Sequence, residues 1–328
     1  MGFDSRNALL KAVNLRGYYR TPEGYVHAVD GCTLRLHEGD LVGIAGESAC
    51  GKSTLGKLLI GYDKHPLKVL EGTVVVGDVD IYSMPWNERK ALWGSSVAMI
   101  PQYSMNSLNP TRKIRNLILD AMKEKFQSNL SEAEFLKRAE LRFKDLGLSS
   151  NVLEMYPFEL SGGMKQRVVI AISTLLSPRV LVVDEPTSAL DVSTQRLLLG
   201  LLNYIVRHKI VGSMAVISHD IASLRQICEQ MYIMYAGKIV ESVSTEDMID
   251  RPLHPYTKLL LNAVITIDPE IRDHKLEGIP GAPPGLLKPP PGCRFYERCA
   301  YAMERCKVEE PPLLEVESNR LVACWLYG

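Results

Sequence analysis

The chain has 328 residues, which is enough for a large hydrophobic core and for more than one domain. Its 38 basic and 38 acidic side chains cancel, so the composition lacks the positive excess typical of nucleic-acid-binding proteins. No apolar run approaches the roughly 18 residues of a membrane-spanning helix, and no hydrophobic signal segment follows Met1. We therefore expect a soluble, intracellular protein with no nucleic-acid partner.

The first functional motif is the glycine-rich segment GESACGKST, which begins at Gly46 after an apolar run over residues 41–45. In a phosphate-binding loop, a strand leads into such a segment and a helix follows, here expected over residues 53–60. Backbone N–H groups and the positive end of the helix dipole then contact phosphate oxygens. Lys52 is expected to contact the β- and γ-phosphates, and the Ser53 hydroxyl to ligate Mg²⁺. The alternative is a turn that contains Gly-Lys by chance.

The following segments differ in periodicity. Residues 72–84 have the pattern of a β-hairpin. Helical periodicity is present over residues 106–126 and 131–148, and Ser131 and Glu134 have the spacing of a capping box. We therefore predict a nucleotide-binding core formed by residues 1–102 and 176–250, interrupted by a helical subdomain over about residues 103–175.

The segment LSGGMKQR, residues 160–167, is the start of a basic amphipathic helix. Ser161 is suited to cap this helix, and Gly162 and Gly163 leave backbone N–H groups accessible. The segment is a second candidate anion site, separate from the strand that carries the phosphate-binding loop.

Two apolar strands are expected to end in ionisable residues. Residues 180–183 form a continuous apolar run, typical of a strand buried on both faces of a parallel sheet, and Asp184 and Glu185 follow. The first carboxylate is suited to bind Mg²⁺, and the second can orient or deprotonate an attacking water. After an amphipathic helix over residues 189–210, a second strand ends at His219, near the same sheet edge. The alternatives are a surface turn at the two carboxylates and a structural role for the histidine.

The C-terminal part differs in composition. A short helix is expected after residue 250, then a proline-rich strap over residues 278–292 that suits neither helix nor sheet. Four of the seven cysteines follow, separated by 5, 6 and 17 residues: Cys293, Cys299, Cys306 and Cys324. Because Cys-x2-Cys pairs are absent, four thiolates on loops suit a 4Fe–4S cluster at least as well as zinc, and unmetallated thiols remain an alternative. A structural cross-link is the favoured role, with redox sensing as the other option.

In combination and order, these motifs resemble those of the ATP-binding subunits of ABC transporters, over about residues 9–243. The resemblance implies an α/β fold, namely a P-loop (RecA-like) nucleotide-binding domain with a helical subdomain that receives a helix of the membrane subunit. It also implies an ATPase that binds ATP and Mg²⁺.

The resemblance implies roles for individual residues. Gln102 is similar to the Q-loop glutamine that senses Mg²⁺ and the γ-phosphate, and Asp184 to the Walker B aspartate, so these two and Ser53 are the expected Mg²⁺ ligands. Glu185 is similar to the general base and His219 to the switch histidine, which with Gln102 make the catalytic set. The residues similar to the Walker A motif are Gly46, Glu47, Ser48, Cys50, Gly51, Lys52, Ser53 and Thr54.

Further nucleotide contacts are implied by the same resemblance. Asp191 is similar to the D-loop aspartate at the dimer seam. Tyr19 lies where the family stacks an aromatic ring on adenine, with Tyr18 and Tyr25 as competing candidates. The residues similar to the signature, which contacts the nucleotide of the opposing subunit, are Ser161, Gly162 and Gly163.

The C-terminal segment resembles the small Cys-rich extension of the oligopeptide/dipeptide branch of these ATPases, whose members carry a 4Fe–4S cluster on four such cysteines. This implies an ABC ATPase domain over residues 1–250 and the extension over residues 251–328. The implied function is the motor subunit of an importer that takes up oligopeptides or dipeptides through ATP-driven dimer closure, with oligosaccharide or nickel as alternative cargo. The rival hypotheses are a soluble ABC ATPase acting on DNA or ribosomes and a metal-sensing module with a vestigial ATPase.

The resemblance also implies partners and a location. The partners are a second, non-identical ATPase subunit, two membrane permease subunits and, indirectly, an extracytoplasmic solute-binding protein. The chain is expected to bind peripherally at the cytoplasmic face of the cell membrane.

Overall fold

The structure of the protein is a computed structural model that describes residues 8–123, 131–188, 190–262 and 278–328. Parts of several expected segments lie outside these ranges. They are residues 1–7 of the core, the end of the helix expected before residue 131, Ala189 at the start of the helix over 189–210, and the end of the helix expected after residue 250. None of the helices in the described ranges is long and apolar enough to cross a bilayer.

The strands belong to two sheets. In chain order they are β1 (Ala8–Thr21), β2 (Gly24–His37), β3 (Leu41–Ala45), β4 (Leu67–Val76), β5 (Val79–Asp80), β6 (Val97–Ile100), β7 (Val180–Asp184), β8 (Ser213–Ser218), β9 (Gln230–Tyr235), β10 (Lys238–Ser244), β11 (Leu314–Glu317) and β12 (Arg320–Val322).

The helices lie between these strands and on the faces of the sheets. In chain order they are α1 (Lys52–Leu59), α2 (Trp86–Leu92), α3 (Ile114–Met122), α4 (Glu132–Asp145), α5 (Gly162–Ser173), α6 (Val192–Arg207), α7 (Ile221–Leu224), α8 (Thr245–Asp250), α9 (Pro255–Asn262) and α10 (Glu304–Val308).

One sheet is antiparallel and the other is mostly parallel. The antiparallel sheet has the strand order β2-β1-β4-β5 and includes the hairpin expected over residues 72–84. The second sheet has the order β11-β12-β10-β9-β3-β8-β7-β6, in which the five strands from β9 to β6 are parallel. The predicted strands over residues 41–45 and 180–183 are present in this sheet with the strand expected to end at His219 between them; that strand ends one residue earlier, at Ser218.

The parallel strands have a hydrophobic core on each face of the sheet, so successive strand residues belong alternately to one core and the other. In β7, Val180 and Val182 belong to the core that includes residues of α1 and the antiparallel sheet, whereas Leu181 and Val183 belong to the core that includes residues of α4, α5 and α6. A strand buried in this way has apolar residues at every position, and all five residues of β7 are buried.

Helices α3, α4 and α5 connect β6 to β7. The predicted capping box is present at α4: the Ser131 backbone N–H donates to Glu134 at 2.6 Å, and the Glu134 N–H donates to the Ser131 hydroxyl at 3.3 Å. Phe135 of the same helix is fully buried against its neighbours. In the ranges that the structure describes between β6 and β7, the chain therefore forms helices and turns without a strand.

The tail joins the parallel sheet rather than forming a separate body. The strap over residues 278–292 has neither helix nor strand, as expected. After it, β12 pairs antiparallel with β10, and Arg320 lies 3.6 Å from the fully buried Glu241. The prediction that the tail cysteines all lie on loops is wrong for Cys306, which is buried within α10.

Candidate functional site

Four adjacent strands of the sheet, β3, β8, β7 and β6, are parallel, so their carboxyl ends meet at one edge. Each end leads into a segment that the sequence marks as functional: the phosphate-binding loop after β3, His219 after β8, Asp184 and Glu185 at β7, and Gln102 after β6. Ligands of open α/β sheets bind at such an edge. The topology therefore brings together motifs that are up to about 170 residues apart in sequence.

The phosphate-binding loop leads into α1 through Gly51, whose φ is 106°. A Cβ atom on Gly51 would lie 1.9 Å from the Ala28 carbonyl oxygen, so a side chain does not fit there. The Lys52 ammonium is buried and donates to the carbonyl oxygens of Gly46 at 2.7 Å and Glu47 at 2.8 Å. The loop thus holds its cation at the start of a helix, which is the arrangement of an anion site.

Ser53 and Asp184 form a pair of oxygen donors. The Ser53 hydroxyl donates to the Asp184 carboxylate at 3.1 Å. Burial raises the pKa of Asp184, and the nearby charge of Glu185 raises it further, against the lowering effect of the Ser53 hydrogen bond. A buried carboxylate with a hydroxyl beside it has the donor chemistry that Mg²⁺ prefers, and a cation there would favour the ionised carboxylate.

Glu185 has an unusual backbone conformation for a side chain of its size, with φ at 48°. Its carboxylate accepts hydrogen bonds from the His219 backbone N–H at 3.1 Å and from the Ser218 hydroxyl at 3.3 Å. The His219 Nδ1 atom lies 2.9 Å from both carboxylate oxygens. The carboxylate is therefore held in place while the histidine ring remains largely exposed to solvent.

Lys52, Ser53, Glu185 and His219 line a cavity of about 420 Å³, and Asp184 lies beside it through its hydrogen bond with Ser53. Of the three candidate tyrosines, Tyr19 lines this cavity and its hydroxyl lies 3.2 Å from that of Thr54. Tyr18 instead donates to Asp30 and stacks on His27. The lining consists of Tyr19, Val26, Ala28, Ser48, Ala49, Gly51, Lys52, Ser53, Thr54, Gln102, Glu185, His219 and Leu286.

Some expected site residues support the loop rather than line the cavity. Cys50 is almost fully buried, and burial raises the pKa of its thiol. Glu47 is not among the lining residues, and its carboxylate pairs with Arg298 of the tail at 2.7 Å. Sequence reasoning missed Arg298 and also Leu286, because no spacing or periodicity connects the tail to the phosphate-binding loop.

The signature segment and Asp191 lie outside this cavity. Ser161 is the N-cap of α5 and accepts a hydrogen bond from the Met164 N–H at 3.3 Å, as its expected capping role requires. Asp191 caps α6 by accepting hydrogen bonds from the Thr194 hydroxyl and the Thr194 backbone N–H, and both bonds lower the pKa of its carboxyl. Both helix starts are exposed to solvent. Within the single chain, the signature segment and Asp191 therefore do not line the cavity that Lys52 and Glu185 line.

The four tail cysteines line a common cavity of about 20 Å³. Burial raises the pKa of Cys293 to about 12, and the charges of Cys306, Cys324 and Cys299 raise it as well. Within the described ranges, however, no group of three or more His, Cys, Asp or Glu side chains is arranged to hold a metal ion. The thiols are thus suitable donors that face one another without forming a ligand set.

Known proteins are similar to this chain over most of its length. The sequence model of the ABC transporter family matches residues 29–188, and that of the oligopeptide/dipeptide transporter C-terminal region matches residues 240–306. The chain is 38% identical to the dipeptide transport ATP-binding protein DppD of Caldanaerobacter subterraneus subsp. tengcongensis, over 97% of each chain. It is 37% identical to the oligopeptide transport ATP-binding protein OppD of Escherichia coli, over 97% of this chain and 93% of that protein.

Solved structures of ATP-binding cassettes have a similar fold. A dimeric ATP-binding cassette in a post-hydrolysis state with ADP and Pi is 26% identical and superposes with a TM-score of 0.62, covering 72% of this chain and 98% of that chain. The fold, the site and these relatives together define an ABC-type ATPase that is coupled to transport. The chain belongs to the family of oligopeptide/dipeptide transport ATP-binding proteins.

Proposed function

We propose that this chain is the motor subunit of an importer for oligopeptides or dipeptides. The observation that carries the proposal is the convergence of Lys52, Ser53, Glu185 and His219 on one cavity. The relatives named as dipeptide and oligopeptide transport proteins support peptide cargo over oligosaccharide or nickel. Their similarity over nearly the full chain favours transport over the soluble ATPase and metal-sensing hypotheses.

The residues of the cavity have distinct tasks in ATP hydrolysis. Lys52 and the backbone N–H groups of its loop bind the phosphates, and Tyr19 stacks on the base. Ser53 and Gln102 of the lining, together with Asp184 beside Ser53, would hold Mg²⁺, which would neutralise charge that develops on the phosphate oxygens. Glu185 accepts a proton from the attacking water, and His219 orients that water at the γ-phosphate side.

A second ATPase subunit completes the site. Ser161, Gly162 and Gly163 expose backbone N–H groups at the start of α5, away from their own cavity, so they contact the nucleotide of the opposing subunit. Val192 and Leu197 of the neighbouring helix α6 are 81% and 68% exposed, which supports burial of this region by a partner. Two proteins of Salmonella typhimurium, OppD and OppF, are 36% and 35% identical to this chain, which supports a non-identical partner.

Closure of this dimer drives transport through two membrane permease subunits, with solute delivered by an extracytoplasmic binding protein. The chain binds these permeases at the cytoplasmic face of the membrane. The helical subdomain over residues 103–175 receives a permease helix near Gln102.

Transport by the assembled complex tests this function. The permease and binding-protein subunits that co-purify with the tagged chain are reconstituted in vesicles with ATP. We expect uptake of a labelled hexapeptide, dependent on ATP, and no uptake of a hexasaccharide or of nickel under the same conditions. Uptake of the sugar or the metal without the peptide would contradict the peptide assignment while leaving the ATPase assignment intact.

We also propose that Cys293, Cys299, Cys306 and Cys324 hold a metal centre, with a 4Fe–4S cluster as the first candidate and zinc as the alternative. Their common cavity supports this proposal, although the ligands have to rearrange around any bound metal. Iron, sulfide and zinc are measured in protein purified without oxygen. About four irons per chain support the cluster, and one zinc per chain supports the alternative. Protein that contains neither iron nor zinc would contradict the proposal.

A further inference from the structure

The tail contacts the phosphate-binding loop through one buried arginine. The Arg298 side chain is 4% exposed, and its two terminal nitrogens donate to the two carboxylate oxygens of Glu47 at 2.7 and 2.9 Å. This bidentate, charge-assisted geometry is a strong form of ion pair. Glu47 is the second residue of the loop and precedes Arg298 by 251 residues.

The arginine is fixed from several directions. Its Nε atom donates to the Pro280 carbonyl at 2.7 Å, and its terminal nitrogens also donate to the Ile279 carbonyl at 3.3 Å and the Tyr235 hydroxyl at 3.1 Å. All five N–H donors of a guanidinium are thereby used. The hydrogen bond to Glu47 raises the pKa of Arg298 above its usual value, against the opposing effect of burial.

Glu47 in turn is linked to the cation of the loop. Its backbone N–H donates to the Tyr256 hydroxyl at 2.8 Å, and its carbonyl oxygen accepts from the Lys52 ammonium at 2.8 Å. The side chain, the N–H and the carbonyl of Glu47 are therefore each held. A displacement of Glu47 would move an acceptor of the lysine that binds phosphate.

We propose that Arg298 is a positioning residue of the nucleotide site, which acts through Glu47. It fixes the first turn of the phosphate-binding loop and compensates a negative charge within that loop. Without it, an unpaired carboxylate remains in a loop that must accept a polyphosphate, so nucleotide affinity falls. This inference rests on the assignment of the loop to phosphate binding. Because Cys299 directly follows Arg298, the cysteine-bearing tail contributes to the affinity of the ATPase for its nucleotide.

A calorimetric titration of the full-length chain with ATP, in the absence of turnover, measures the effect. Arg298→Met is expected to raise the Kd for ATP about tenfold, which is the scale of one charge-assisted hydrogen bond. Arg298→Lys retains the charge but not the bidentate geometry, so we expect a rise of about threefold, and this variant decides the question if the methionine variant does not fold. The double variant combines Arg298→Met with Glu47→Gln. We expect its fold-increase in the Kd for ATP to be at least about fivefold smaller than the product of the two single fold-increases.

Arg320→Met is the matched control, because it removes another buried guanidinium of the tail, whose partners are Glu241 and Glu317. We expect Arg320→Met to lose as much thermal stability as Arg298→Met does, while its Kd for ATP stays within about twofold of wild type. An equal rise of the Kd in this control, or independent effects of Glu47 and Arg298, would overturn the inference.

Lys52→Ala separates the inference from its premise. If this variant loses ATP binding while the Arg298 variants bind as the wild type does, the role of Arg298 is wrong and the loop assignment stands. If Lys52→Ala binds ATP normally, the loop assignment fails, and the inference fails with it.

Discussion

Replacing Glu185 with glutamine removes the proposed proton acceptor with little change in shape. An amide oxygen still accepts from the His219 N–H or the Ser218 hydroxyl, which lie 3.1 and 3.3 Å from the native carboxylate. The substitution removes the negative charge and the ability to take a proton. Since the Lys52 loop and the Ser53–Asp184 pair are untouched, ATP binding is expected to persist.

The size of the effect follows from the role. A positioned general base contributes about 10²- to 10⁴-fold to a rate, which corresponds to roughly 3 to 5 kcal/mol of transition-state stabilisation. We therefore expect Glu185→Gln to lower the turnover number for ATP by at least about 100-fold with a Kd for ATP within about threefold of wild type.

Phosphate release by the assembled transporter, together with ATP binding by the isolated chain, checks this prediction. Glu229→Gln is the control, because Glu229 is an exposed carboxylate paired with Arg207 and lies outside the nucleotide cavity. Turnover of Glu185→Gln within about tenfold of wild type would refute general-base catalysis by this residue.

Three further substitutions test the site and the fold. Lys52→Ala removes the phosphate-paired charge and should raise the Kd for ATP about 10- to 100-fold, measured by calorimetry. Gly51→Ala places a Cβ atom 1.9 Å from the Ala28 carbonyl at a positive φ, so it should abolish ATP binding and lower the free energy of unfolding by about 1–3 kcal/mol or more. Phe135→Ala empties a fully buried position in α4 and should lower the free energy of unfolding by about 3–5 kcal/mol, measured by urea denaturation, while the Kd for ATP stays unchanged.

The parts of the site that local chemistry determines could be predicted from the sequence. The apolar run before Gly46, the Gly51–Lys52 turn and the run that ends at Asp184 each contain their own structural signal within about ten residues. Parallel strand ends then converge by a general rule of α/β folds. For this reason the sequence alone was sufficient to place Lys52, Glu185 and His219 in one cavity.

The parts that depend on distant packing could not be predicted. Side chains alternate between the two faces of β1, so Tyr19 lines the cavity whereas Tyr18 donates a hydrogen bond to Asp30. Two adjacent tyrosines do not reveal which of them faces the cavity, because that depends on the register of the strand. Arg298 pairs with a carboxylate 251 residues away, and Leu286 reaches the cavity from a strap without periodicity. Ser161 lies at an exposed helix start outside the cavity, and under the proposed function it contacts a second subunit, which no local signal in this sequence describes.

The pairing of β12 with β10 has a consequence for solubility. Without the tail, the seven-residue strand β10 would be an outer strand with free backbone donors and acceptors, and Glu241 would lose Arg320. Such an edge favours sheet-to-sheet association between copies. Within the described residues, the outer strand on this side of the sheet is instead β11, which has four residues and exposes Glu315 and Glu317. Short, negatively charged edges resist pairing, so the tail protects the ATPase from aggregation, and a shortened chain that ends before β11 would lose this protection.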